Sequence, residues 1–339
     1  MIGPPSYFPP LTSSRGIRVL FALIFALGFP LGASALVLDD GKGQGNTTAP
    51  ENDPGWRNVG QHLGSPSVVY LGNRWILTAD HVGASIVILE GKRYDPVSGS
   101  LIRLKNSDGT QADLLLFKIA KDPGLPMLAI AESPAAVGEQ VILVAAGSSR
   151  NERLSAHLEG ETLIDGFSWK EDRTKRWGSN IIESAPKFIE QTGTKTEAVA
   201  MVFDRIETPR GTPHEASAAR GDSGGALFAH ADAMDPDSDW VLSGILFSVG
   251  TRSGFPGESS FYGDVTWAAD LSYYRDKIIE VVGPAIPNSE RAQQAVPQEP
   301  FAAETISIEI LAAMILLLSI AIVAWRVRVK RRHPIHIDR

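Results

Sequence analysis

The sequence contains no cysteine among its 339 residues. This absence excludes disulfides, thiolate catalysis and cysteine-ligated metal sites. A folded domain in this chain must therefore be held together by its own apolar core. The central region, at roughly 230 residues, is long enough to bury one.

Positive charge is scarce outside the two ends of the chain. The whole sequence has a formal net charge of −7, with 32 basic and 39 acidic residues. Arg15, Arg18 and the tail from residue 326 account for eight basic residues and one acidic residue, so the rest of the chain has 24 basic residues against 38 acidic ones, a net charge of −14. Such an acidic central region argues against nucleic acid as a partner.

The N-terminal segment has the three parts of a secretory signal peptide. Arg15 and Arg18 precede an almost wholly apolar run at 19–29, and the small residues Ala33-Ser34-Ala35 follow. We expect residues 1–35 to be a signal peptide that is cleaved after Ala35. A retained signal anchor or a buried core helix is the alternative, although the apolar run is shorter than the ~20 residues that a spanning helix needs.

A second apolar segment, 306–325, predicts a transmembrane helix. It contains one charged residue, Glu309, near one end, and a basic tail at 326–339 follows it. Such a tail stays on the cytoplasmic side of a membrane, so the region between the two ends is expected outside. The sequence thus predicts an exported protein with a single-pass membrane anchor. A buried helix of a soluble domain is the alternative.

Short apolar runs rich in β-branched residues dominate residues 55–282 and predict an all-β domain. The period of the apolar residues predicts one helix, at 268–282. Residues 36–54 are polar and Gly-rich, which indicates a flexible lead-in, and the prolines of 283–305 indicate a stalk.

The motif Gly221-Asp-Ser223-Gly-Gly225 is the strongest chemical signal in the sequence. Glycines allow a tight turn that can present the Ser223 hydroxyl and direct the N–H groups of Gly221 and Ser223 at one point. That point could hold the negative oxygen of a tetrahedral intermediate. An ordinary glycine-rich turn is the alternative.

A nucleophilic serine needs a base, and a neutral imidazole base needs an acid that orients it. Of the seven histidines, His81 ends the apolar run at 75–79. Asp113 opens another apolar run, at 114–117. A solvated histidine and a turn aspartate are the simpler alternatives. Asp80 is a competing acid, but adjacent strand residues point to opposite faces.

These motifs together resemble the chymotrypsin/trypsin-like serine proteases. Trp-Ile-Leu-Thr-Ala-Asp-His81 is similar to their histidine segment, Asp113-Leu-Leu-Leu-Phe-Lys to their aspartate segment, and Gly-Asp-Ser223-Gly-Gly to their nucleophile motif. The order His, Asp, Ser is also theirs. The resemblance covers residues 55–282. It implies two packed six-stranded antiparallel barrels, a C-terminal helix and a cleft between the barrels.

By this resemblance, Ser223 is the nucleophile, His81 is the general base, and Asp113 orients His81. The backbone N–H groups of Gly221 and Ser223 would form the oxyanion hole. The strand at 242–250 would bind the substrate backbone through Ser248 and Gly250. Ser217, six residues before the nucleophile, would lie at the base of the primary pocket. An uncharged base favours apolar or small side chains over Arg or Lys. No metal or organic cofactor is implied.

The sequence departs from the family in its activation segment. The Ile-Val-Gly-Gly terminus is absent, and Asn58-Val59-Gly60 begins too close to the first strand, at Val68, to reach the aspartate before the nucleophile. We therefore expect internal donors to hold Asp222, without a tryptic activation step.

The sequence thus predicts a membrane-anchored serine endopeptidase that acts on exported or surface proteins. A non-catalytic binding module on the same scaffold is the rival reading. A quality-control protease would need a further domain, for which the stalk leaves no room. The end of the stalk, Val296-Pro-Gln-Glu-Pro300, is similar to a bacterial PEP-CTERM sorting tail, but Gln298 departs from that motif. A permanent anchor is the alternative there.

Overall fold

The computed structural model describes residues 35–64, 66–158, 162–171, 173–191, 193–252 and 254–285. All of them belong to a compact unit, Met1–Ala285, while the second unit is Ile286–Arg339. The expected signal peptide up to residue 34, the stalk from residue 286, the transmembrane helix and the basic tail lie outside the described residues. Within the described ranges, no helix has the length and apolar character needed to span a membrane.

The described part of the chain is mostly β, with one C-terminal α-helix. The strands are β1 Val37–Leu38, β2 Val59–His62, β3 Ser67–Gly72, β4 Trp75–Thr78, β5 Val87–Leu89, β6 Lys92–Tyr94, β7 Ile102–Lys105, β8 Gln111–Lys118, β9 Gln140–Ala145, β10 Ser148–Leu158, β11 Thr162–Glu171, β12 Arg176–Gln191, β13 Thr194–Val202, β14 Ala216–Ser217, β15 Ala226–His230, β16 Trp240–Gly250, β17 Ser259–Phe261 and β18 Val265–Asp270, and the helix is α1 Leu271–Val282.

The first half of the fold is a seven-stranded sheet in the order β6-β5-β2-β3-β4-β8-β7. Its strand β8 is apolar without alternation because both of its faces are buried. Leu114 and Leu116 join the core between the sheets and the helix, whereas Leu115 and Phe117 join a second cluster. Only the two end residues of β8 are partly exposed, and Asp113 lies in its buried middle.

The second half is a closed six-stranded barrel in the order β12-β13-β18-β16-β15-β9. All of its neighbouring strands pair antiparallel. Two six-stranded barrels were expected, and the first half differs from that expectation in forming a seven-stranded sheet. The strand β7 is the seventh member, and it pairs with β8 at the edge of that sheet.

The N-terminal residues of the described chain are buried, although a flexible lead-in was expected at 36–54. Residues Ala35, Leu36, Val37 and Leu38 are all 0% exposed. Strand β1 pairs with β14, so that Val37 lies opposite Ser217. This apolar tetrapeptide was not recognised in the sequence because the residues that follow it, 39–54, are mostly polar. It packs beside the segment that carries Ser223.

The helix α1 begins three residues later than expected, because Val265–Asp270 forms strand β18. Asp270 caps the helix by accepting a hydrogen bond of 3.0 Å from the N–H of Ser272. The buried face carries Leu271, Tyr274, Ile278 and Val282.

Candidate active site

The turn that contains Ser223 lies directly before strand β15 and depends on its glycines. Gly221 has φ +92° and Gly224 has φ +84°, a region that side chains other than glycine rarely adopt. A Cβ atom at Gly224 would also collide with the carbonyl oxygen of Ser67 and the hydroxyl of Thr78. The backbone of the first sheet thus approaches this turn closely, and Ser67 N–H donates to the carbonyl of Ser223 at 3.0 Å.

Two N–H groups of this turn are free. Asp222, Gly224 and Gly225 donate their N–H groups to backbone carbonyls. Within the described part of the chain, the N–H groups of Gly221 and Ser223 have no acceptor. They are therefore available to a ligand oxygen.

His81 lies in a short 3₁₀ turn that follows strand β4, and Asp113 lies in strand β8. The His81 Nδ1 atom is 2.6 Å from Asp113 Oδ2, and the His81 backbone N–H donates to Asp113 Oδ1 at 2.9 Å. The histidine side chain is 49% exposed, whereas the aspartate side chain is 3% exposed. The acid is thus buried behind a base that is open to the cleft.

These contacts fix the imidazole in one orientation. The carboxylate can only accept, so Nδ1 carries the proton and the neutral ring leaves Nε2 as an acceptor. The hydrogen bond with Asp113 raises the pKa of His81 above its ordinary value of 6.5, and burial of the ring opposes that rise. Asp113 is itself held in place, because its backbone N–H donates to the buried hydroxyl of Thr196 at 2.9 Å.

Asp80 does not make this contact. Its carboxylate accepts from the side chains of Arg103 at 2.8 Å and of Gln111. The expectation that Asp80 would not orient the ring agrees with this geometry, but its reason was wrong, because Asp80 and His81 lie in a 3₁₀ turn rather than in a strand.

His81 and Ser223 line the same pocket, which has a volume of about 420 Å³. Among the described residues no hydrogen bond joins the Ser223 hydroxyl to the imidazole. Such bonds are often long in free enzymes and shorten when a substrate binds. The pocket is lined by Gly64, Pro66, His81, Val82, Gly147, Ser148, Glu171, Arg173, Arg220, Gly221 and Ser223.

Two arginines of this lining were not singled out from the sequence. Arg173 and Arg220 both border the pocket, and Arg220 forms ion pairs with Glu258 and, at 3.7 Å, with Glu171. Arg220 stands directly before the Gly-Asp-Ser-Gly-Gly motif, and its position next to that motif is the signal that could have identified it.

The three residues expected to bind substrate are outside that lining. Ser217 is 2% exposed and its hydroxyl donates to the carbonyl of Ala218 at 3.2 Å. Ser248 accepts a hydrogen bond from the side-chain amide of Gln191. Gly250 ends β16, opposite Val265. Their assignment to substrate binding stays a prediction.

The carboxyl of Asp222, next to the nucleophile, is 0% exposed. Its Oδ2 atom accepts a hydrogen bond of 2.7 Å from the N–H of Ala219, whereas its Oδ1 atom has no partner of good geometry. Burial raises the pKa of Asp222 to about 8, opposed by the N–H groups of Ala219, Gly147 and Leu36. The expected internal donors therefore satisfy only one oxygen of this carboxyl.

The model of the Trypsin family matches residues 46–271, which is more than half of the chain. No curated protein matches the sequence.

Solved structures of three proteases are similar over much of the chain. The Rv3671c protease of M. tuberculosis is 13% identical with a TM-score of 0.38, over 69% of this chain and 98% of that one. Neuropsin from mouse brain, a serine protease, is 18% identical with a TM-score of 0.45, over 70% and 98%. The HtrA-type protease AlgW, solved with a decapeptide, is 20% identical with a TM-score of 0.36, over 64% and 52%.

The protein is a serine-type peptidase, a hydrolase whose substrates are proteins or peptides. Its mostly β fold with one C-terminal helix is consistent with a chymotrypsin-like architecture. The chain belongs to the trypsin family.

Proposed function

We propose that the protein is a serine endopeptidase that uses His81, Asp113 and Ser223 as its catalytic triad. The observation that carries this proposal is the pair of hydrogen bonds, at 2.6 and 2.9 Å, that ties His81 to the buried carboxylate of Asp113 beside the pocket of Ser223. A carboxylate in this position keeps the proton on Nδ1 and stabilises the imidazolium that forms during the reaction.

The reaction would proceed through an acyl-enzyme. Ser223 Oγ attacks the carbonyl carbon of the scissile peptide bond while His81 Nε2 takes the hydroxyl proton. The carbonyl oxygen becomes an oxyanion, for which the free N–H groups of Gly221 and Ser223 are the candidate donors. The C–N bond breaks as His81 returns the proton to the leaving amine. Water then attacks the acyl-enzyme by the same route and releases the new carboxylate.

We assign the substrates to exported or surface proteins. This part of the proposal rests on the sequence, in which a signal peptide at 1–35 and a transmembrane helix at 306–325 would place residues 36–305 outside the membrane. The catalytic domain would then reach its substrates from a stalk at 283–305, with the basic tail 326–339 in the cytoplasm.

Labelling of the purified protein with a fluorophosphonate probe tests the activity, because only an activated serine attacks the phosphorus. The parent and a Ser107→Ala control, which removes an exposed hydroxyl outside the pocket lining, should label at equal rates. Ser223→Ala should not label. Equal labelling of Ser223→Ala would show that another serine is the nucleophile, and a folded parent that never labels would support the non-catalytic binding module.

A further inference from the structure

The pocket of Ser223 is lined by three charged side chains in addition to His81, namely Arg173, Arg220 and Glu171. The proposed reaction uses none of these three. A charged group in the lining of a binding pocket attracts side chains of opposite charge and repels those of like charge. The lining therefore bears on which substrates the enzyme selects.

Arg220 and Glu171 are already engaged in ion pairs. Arg220 pairs with Glu258, and its Nη2 atom is also 3.7 Å from Glu171 Oε1. A substrate side chain that paired with Arg220 or with Glu171 would have to displace a partner that is present in the free enzyme, and that displacement lowers the gain. This ion-paired group therefore gives little preference for either charge.

Arg173 differs from Arg220 in having no such partner. Among the residues that the structure describes, no carboxylate lies within ion-pair distance of its guanidinium. Its Nη1 atom lies over the backbone of Gly64, 3.2 Å from the place that a Cβ atom would occupy there. Both residues line the pocket, and Gly64 has no side chain that would cover the guanidinium. Arg173 is therefore a charge with which a substrate can pair without breaking an existing ion pair.

The backbone on both sides of Arg173 is held by the fold. Strand β11 ends two residues before it and pairs with both β10 and β17. Lys175, two residues after it, donates from Nζ to the carbonyls of Trp56 and Val59 at 2.8 and 2.9 Å, and its side chain is only 18% exposed. The backbone at Arg173 thus needs little ordering when a substrate binds.

The position of the pocket indicates which part of the substrate it receives. In the proposed reaction His81 returns its proton to the leaving amine, so the residues after the scissile bond depart from the side of Ser223 that faces His81. The pocket is lined by His81 and by its neighbour Val82. The three residues expected to bind the part of the substrate before the scissile bond lie outside this lining.

We propose that Arg173 is a specificity-determining residue that selects substrates with an acidic side chain shortly after the scissile bond. An Asp or Glu carboxylate at that position accepts two parallel hydrogen bonds from the guanidinium, whereas a Lys or Arg there meets a like charge. The substrate class is thus narrowed to polypeptides with an acidic residue on the leaving-group side of the cut. This inference rests on the proposed function.

The expected preference is moderate because Arg173 is exposed in the free enzyme. Ion pairs between exposed side chains are weak, although a bound substrate excludes water from the pocket and so strengthens the pair. The repulsion of a basic side chain adds to the difference between the two substrates. We expect about a fivefold preference for acidic over basic residues, well below the selectivity of a fully buried ion pair.

The first test reads this preference from a library of random-sequence peptides with acetylated N-termini. Only the fragments released from the leaving-group side have a free amine, so stepwise N-terminal sequencing of the products reports the residues after the cut. At one position the parent should show Asp and Glu about fivefold more often than Lys and Arg, relative to the library. Arg173→Gln should lower this ratio to about one or below, and Arg173→Glu should invert it.

The matched control is Arg153→Gln, which removes the same charge from strand β10, outside the pocket lining. It should keep the ratio of the parent. A parent ratio of about one at every position after the cut overturns the proposal, even though cleavage itself would support the protease function. An acidic preference that Arg173→Gln leaves unchanged overturns it as well, because another group must then be the selecting charge.

The second test does not depend on activity. The purified Ser223→Ala protein is immobilised and offered the same library, and the retained peptides are compared with those retained by a variant that also carries Arg173→Gln. The acidic content should be at least about twofold higher with Arg173 present. Since the chain outside its basic ends has a net charge of −14, non-specific binding favours basic peptides and works against this result.

The two tests separate this proposal from the proposed function. Equal acidic content in the two sets of retained peptides overturns the role of Arg173, whether or not the parent is a protease. If the parent cleaves no peptide, the proposed function fails, and the comparison of retained peptides still decides whether Arg173 selects acidic segments.

Discussion

Replacing Asp113 with asparagine should abolish most of the activity while preserving the fold. Asn Oδ1 can still accept the His81 backbone N–H, which the aspartate accepts at 2.9 Å. The amide NH₂ would then face Nδ1, where the structure has a contact of 2.6 Å. Because that group donates, the imidazole must turn to the tautomer with its proton on Nε2, which cannot take the proton of Ser223. The same exchange in a triad serine protease lowers kcat about 10⁴-fold, or about 5.5 kcal/mol of transition-state stabilisation.

The assay is the second-order rate of fluorophosphonate labelling, with the thermal unfolding midpoint as the measure of folding. Asp108→Asn is the matched control, because Asp108 is an exposed turn aspartate that precedes the same strand. It should label like the parent. If Asp113→Asn remains folded and loses less than about tenfold in rate, Asp113 does not orient the base and the proposed triad is wrong.

Three further predictions follow from the site and its scaffold. Asp113 raises the pKa of His81, and a general base acts in its neutral form, so labelling should be lost as the pH falls through a midpoint above 6.5. A labelling rate that stays constant from about pH 5 to about pH 9 would contradict this. Gly224→Ala should lower the free energy of unfolding by at least about 3 kcal/mol, measured with denaturant, because the new Cβ would collide with the Ser67 carbonyl. The control Gly91→Ala, also at positive φ but with open space around it, should lower it by about 1–2 kcal/mol. Equal losses in the two variants would disprove the collision. Asp270→Ala should cost about 1 kcal/mol through loss of the helix cap, and an unchanged midpoint would contradict that role.

The apolar strands and the chemical residues were readable from the sequence because their signals are local. The apolar run at 75–79 became β4 almost residue for residue, and the run at 114–117 lies within β8. His81 and Asp113 each border such a run, and the structure brings them within hydrogen-bond distance. The turn around Ser223 was also predictable locally, because its glycines adopt backbone angles that other residues rarely adopt.

The features that were missed depend on pairing between distant segments. Strands β10 and β11 are polar and half exposed, as in Glu152, Arg153 and Asp165, so no apolar period revealed them. The buried segment at 35–38 is only four residues long, and its partner β14 lies far along the chain. Arg173 lines the pocket only because the folded chain brings it close to residues that are distant in the sequence. A single sequence carries no information on which of its polar segments will meet.

The order of strands in the barrel governs when during synthesis the protein can become a protease. The last strand, β18, lies between β13 and β16 and closes the ring, and the carbonyl of Leu246 in β16 receives the N–H of Gly224. A nascent chain that has not yet reached residue 265 already contains His81, Asp113 and Ser223, but it has a gap in the barrel wall behind the serine. The ribosome therefore releases a polypeptide whose peptidase activity depends on nearly the whole domain having been made.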